Sequence, residues 1–100
     1  MLSEKIIKVE QLVSELYGPN CSQESLLFCQ DVQNYYIENI INFEELFQSL
    51  LRTKIPHFKF WIIDTLIKLI NQKYSLMTND IKDRFRIALL NLFNYNIDII

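Results

Sequence analysis

The sequence predicts an all-α fold, built as antiparallel helix pairs that stack at the start of an α-solenoid. Three observations lead there. The 100 residues include one Gly and two Pro, too few breakers for a sheet with tight turns. Half the residues are apolar, and they recur at three- and four-residue spacing. The stretch Phe58 to Tyr74, FKFWIIDTLIKLINQKY, is apolar around most of a helix, with Thr65, Lys68 and Gln72 as a narrow polar line beside Asp64 and Asn71. Such a helix must be covered on several sides.

Each element has its own signals. Leu2, Ile6, Val9, Val13 and Leu16 make an amphipathic leading helix over about 2–17, and Gly18-Pro19 ends it, Gly through a left-handed cap. Asn20 or Ser22 caps a second helix with Leu26, Leu27, Cys29, Val32 and Tyr36 on its inner side. Asn42 with Glu45 reads as a capping box for a third helix, and Ile41 with Leu46 as its hydrophobic staple. That helix runs from Phe43 to about Arg52 and buries Phe43, Leu46, Phe47, Leu50 and Leu51. Pro56 opens the fourth helix, where Asp64 and Lys68 pair in the favourable acid-first order. After a short connection, Thr78 or Asn79 caps a fifth helix, antiparallel to the fourth, with Ile81, Phe85, Ala88, Leu89 and Leu92 inward. The apolar end, Ile97 to Ile100, is expected to continue into further chain or to pack on a partner.

Helices two and three form repeat one over about 22–52, and helices four and five repeat two over about 56–94. The pairs recur at about 36 residues, within the period range of stacked repeats. A five-helix bundle would show nearly the same pattern.

The net charge of −2 hides an asymmetry: residues 1–50 balance at −6 and residues 51–100 at +4. That suits layers of opposite charge, or a mixed-charge protein partner. It falls short of the dense basic patch that nucleic-acid binding requires of a domain by itself. Cys21 and Cys29 are too few for a zinc site and read as thiols in a reducing compartment. No apolar run reaches the ~20 residues of a membrane helix. His57, alone of its kind, stands beside Pro56, and Ser22, Ser25 and Ser49 have no neighbouring base. The expectation is a non-enzyme without cofactor or metal. Trp61 reads as core and not as a stacking platform for a base.

Two blocks carry a family resemblance. Tyr17-Gly18-Pro19-Asn20-Cys21-Ser22-Gln23-Glu24 followed by Cys29-Gln30 resembles the entry to the first repeat of the exportin branch of the importin-β superfamily. Lys59-Phe60-Trp61 with Leu66, then Lys73-Tyr74, then Arg86 with Leu89-Leu90, resembles the second repeat of its tRNA-exporting members. Ile62 and Ile63 depart from the more polar segment common there. The resemblance spans roughly residues 17–93 and implies HEAT-like repeats at the N-terminal end of a nuclear export receptor, a karyopherin shuttling between nucleus and cytoplasm. It further implies Ran-GTP as partner, tRNA or other cargo held mainly by the rest of the receptor, and contacts with nuclear pore proteins. Gln48 and Arg52 on helix three, with Lys82 and Arg86 on helix five, are the Ran-facing candidates by position. The alternatives are a helical-repeat interaction scaffold unrelated to Ran, and a helical domain that dimerises through Ile97 to Ile100.

Overall fold

The computed structural model describes residues 4–19 and 21–99, with side chains described as far as residue 92. The described residues form five α-helices: α1 (Glu4–Leu16), α2 (Gln23–Glu38), α3 (Phe43–Arg52), α4 (Pro56–Lys73) and α5 (Asn79–Ile99). Single 3-10 turns, Ile40–Asn42 and Tyr74–Leu76, precede α3 and α5.

The local chemistry decides how each helix starts and stops. Ser22 caps α2, its hydroxyl accepting from the Ser25 N–H at 3.1 Å. Thr78 does the same for α5, taking the Ile81 N–H at 3.3 Å. Pro56 opens α4 where no N–H is needed. Two expected caps are absent. Gly18 does not adopt the left-handed conformation; its N–H closes a tight turn on the Glu15 carbonyl at 3.0 Å. Asn42 makes no capping bond, because the 3-10 turn already brings the chain in at near-helical angles, φ −90° and ψ 9°. Its amide donates to the Tyr35 hydroxyl, Glu45 accepts from the Tyr36 hydroxyl at 2.8 Å, and Ile41 is exposed, so the staple does not form.

α4 is the centre of the fold and packs against α1, α2 and α3. Its inward face is Phe58, Trp61, Ile62, Thr65, Leu66 and Leu69. α1 lies on α2 and α4 through Ile6, Val9 and Val13. α5 packs on α3, where Phe85 meets Phe43 and Phe47 at ring-centroid distances of 5.0 and 5.3 Å. Among the described residues α4 packs equally on α2 and α3, and α5 packs on α3, while the expected pair of α4 and α5 makes little contact. Between α2 and α3, Tyr36 hydrogen-bonds Glu45, and Asn42 in the intervening turn bonds Tyr35.

Several residues expected inside lie outside. Leu27 on α2 and Leu89 on α5 are exposed, and Leu51 is half-buried. On α4, Phe60, Ile63 and Ile67 face solvent while Thr65 is fully buried. The helix is thus covered on one broad face, not all round. Thr65 is tolerated there because its hydroxyl donates to the Trp61 carbonyl at 2.8 Å. The tail from Ile97 to Ile100 has no described side chains, so the packing expected of it lies outside the described residues.

Candidate functional site

α2 carries a line of small or polar residues inward, Ser25, Cys29 and Gln33, four residues apart. Gln33 is the hub of a clasp between α2 and α4. Its amide nitrogen donates to Asp64 Oδ2 at 3.0 Å and to Thr65 Oγ1 at 2.9 Å, and its carbonyl oxygen accepts from Lys68 Nζ at 3.0 Å. Lys68 and Asp64 are themselves paired at 3.1 Å. Both polar atoms of the Gln33 amide are engaged, which suits a side chain only 8% exposed. The Asp64–Lys68 pair is legible from its i,i+4 spacing, and Gln33 was not among the residues expected here. Its signal was available, since Cys29, Gln33 and Tyr36 share one helical face.

Above the clasp, a cleft of about 250 Å³ opens where α1 ends against α2 and α4, with Tyr17, Cys29, Trp61 and Lys68 in its walls. Burial, and secondarily the nearby Asp64 and Cys29, push the Tyr17 phenol above its usual range. Burial, then Cys21, does the same for the Cys29 thiol, so it stays protonated and unreactive at neutral pH. Cys21 precedes the α2 cap and Cys29 lies two turns inside, an axial separation of ~12 Å that no disulfide spans. His57, in the first turn of α4, meets Tyr17 with its ring tilted by 44° and 5.4 Å between centroids. Among the described residues, no three His, Cys, Asp or Glu side chains gather as metal ligands, and no helix is long and apolar enough to cross a membrane.

The four Ran-facing candidates separate into two kinds. Gln48 and Arg52 are exposed one turn apart on α3. Lys82 is half-buried with its ammonium 4.9 Å from the Tyr74 ring centre, so it is aimed at the end of α4. Arg86 is exposed and paired with Asp83 at 2.8 Å. The cation that joins α5 to α3 is Arg84, which the sequence reading passed over. It donates to Glu44 and lies 5.8 Å from the centre of the Phe43 ring.

The chain matches no family model, no curated protein and no solved structure.

The remaining feature is apolar surface. On α4, Phe60 is 61% exposed, Ile63 46% and Ile67 52%, on the side away from the buried face. On α5, Ile87 and Leu90 are each 55% exposed, opposite Phe85 and Ala88. Both α4 and α5 thus carry apolar residues on two opposed faces, one buried and one open to solvent.

Proposed function

We propose that the chain forms the N-terminal repeats of a HEAT-like α-solenoid, a nuclear export receptor of the exportin branch similar to exportin-T, which binds Ran-GTP and carries tRNA. The observation that carries the solenoid part is the layering: α4 lies on α2 and α5 on α3. The helix starts recur after 33 residues from Gln23 to Pro56 and after 36 from Phe43 to Asn79. A third pair placed by the same step would meet Phe60, Ile63 and Ile67 on one helix and Ile87 and Leu90 on the other. Stacked repeats bury a continuous core in this way, each pair closing the face its predecessor leaves open.

The transport part rests on the two blocks from Tyr17 to Gln30 and from Lys59 to Leu90. In this reading α3 and α5 form the inner layer, and Gln48, Arg52, Lys82 and Arg86 meet Ran. Of these, Gln48 and Arg52 are the better placed, since Lys82 and Arg86 already have partners within the chain. Ran and cargo would each favour the same curvature of one array, which couples their binding by a typical ~1–3 kcal/mol.

The test is retention of the full-length receptor on immobilised Ran loaded with GTP or with GDP, followed by titration of tRNA against the retained complex. Retention with GTP alone, strengthened by tRNA and weakened in Arg52→Glu, is expected. Equal retention on both nucleotides, or none, removes Ran from the reading and leaves a helical scaffold that binds other proteins.

A further inference from the structure

The solvent side of α4 has a more specific pattern than exposure alone. Phe60, Ile63, Ile67, Ile70 and Tyr74 follow one another at intervals of three, four, three and four. The first four lie within α4 and span ~15 Å; Tyr74 stands at the stripe's end, after Lys73 leaves the helix at φ −124° and ψ −7°. Four are exposed, Tyr74 at 48%, and Ile70 is half-buried at the stripe's edge. This alternation is the a and d pattern of a heptad. Its complement is another helix crossing at a shallow angle, with knobs of each entering holes of the other.

The flanking charges choose which helix. With Phe60 at position a, Lys59 falls at the preceding g and Asp64 at e. In a parallel two-stranded pair each g faces the e of the following heptad in its partner, five residues on. Lys59 and Asp64 have that spacing and opposite charge. Asp64 is 40% exposed, and its contacts with Lys68 and Gln33 both use Oδ2, so Oδ1 serves neither. A two-fold axis makes the Lys59–Asp64 match twice, whereas an antiparallel copy makes it in no register, and with Phe60 against Ile70 sets Asp64 against Asp64 and Lys59 against Lys73.

We propose that two copies of this chain associate through α4, in parallel and about a two-fold axis, along the stripe from Phe60 to Tyr74. The stripe offers roughly 400 Å² of apolar surface per copy, about half of the ~800 Å² per partner in a standard stable interface. The dimer is accordingly weak, with a dissociation constant in the micromolar range or above. A third helix pair covering α4 would displace it, so the association belongs to chains in which that face is open. It does not depend on the transport reading, since a scaffold with the same face would associate in the same way.

Sedimentation equilibrium of the 100-residue chain tests this between about 10 µM and 1 mM, a range bracketing weak association. The weight-average mass should climb from 12.0 kDa towards twice that value. Ile67→Glu, and as a second variant Ile63→Lys, should stay monomeric throughout with unchanged helical circular dichroism. Lys59→Glu should weaken association several-fold at low salt and lose that effect at ~1 M NaCl, where the screening length is ~3 Å. A monomer at 1 mM overturns the proposal. So does a dimer that survives Ile67→Glu and Ile63→Lys, or one abolished only by Ile87→Glu on α5.

Discussion

Replacing Gln33 with Glu changes one amide nitrogen to oxygen and little else in shape, yet it removes two of the clasp's three bonds to Gln33. The variant keeps the acceptor for Lys68 Nζ, and loses the two donations, to Asp64 Oδ2 at 3.0 Å and to Thr65 Oγ1 at 2.9 Å. Removing a hydrogen bond costs about 1 kcal/mol, and more when one partner is charged. The new carboxylate also sits within ~4 Å of Asp64, a repulsion of ~4 kcal/mol at an effective dielectric of ~20, of which Lys68 between them offsets a large part. The net expectation is a loss of ~2–4 kcal/mol at pH 7, where a domain of this size holds about 5–15 kcal/mol in total. Gln33→Leu should cost less. Thr65 keeps its bond to the Trp61 carbonyl, and Asp64 and Lys68 keep each other and reach water. Urea unfolding, followed by the emission of Trp61 and by circular dichroism, gives both values. Burial and the facing Asp64 disfavour the charged form of the carboxyl introduced at position 33, so its folded pKa exceeds its unfolded ~4.3. The loss should therefore shrink as the pH falls from 7 towards 5. A Gln33→Glu protein within ~0.5 kcal/mol of the parent at pH 7, or one more stable than Gln33→Leu, would refute the clasp.

The other expectations are briefer. Trp61→Ala removes a side chain 3% exposed and stacked on Phe58 at 6.0 Å, and should cost ~3–5 kcal/mol in urea unfolding followed by circular dichroism alone. Ser22→Ala should cost ~1 kcal/mol through its lost cap, while Asn42→Ala, which has no cap bond to lose, should stay within about half of that. Burial raises the folded pKa of Cys29 above the ordinary thiol value of ~8.5, so the stability it contributes is complete below that pH and declines as the pH rises through the folded value. Urea midpoints at pH 7.5 and 9.5 should differ less in Cys29→Ala than in the parent chain.

Much of the fold was legible before any coordinates. Five helices, the turns at Gly18-Pro19 and before Pro56, the Ser22 cap and the core residues Ile6, Val9, Tyr36, Phe43, Trp61 and Phe85 all follow from local spacing and backbone chemistry. Such signals lie within one helical turn, where sequence separation and spatial separation agree. The capping box failed for a reason of the same kind read one step too far. Asn42 and Glu45 have the right spacing, but Tyr35 and Tyr36, on the previous helix, take both side chains.

What the sequence by itself determined is the helices and the apolar supply on each; what only the tertiary structure decided is which apolar face is used. Phe58 to Tyr74 offers apolar residues almost all round, and periodicity assigns no priority among them. The choice falls to contacts between residues more than 30 positions apart, Gln33 with Asp64 and with Thr65. Gln33 holds these two towards α2, in the rotation of α4 at which Trp61 and Ile62 face inward and Phe60, Ile63 and Ile67 face solvent. A buried amide with three partners fixes the rotation of a helix because the apolar effect has no direction and hydrogen bonds do.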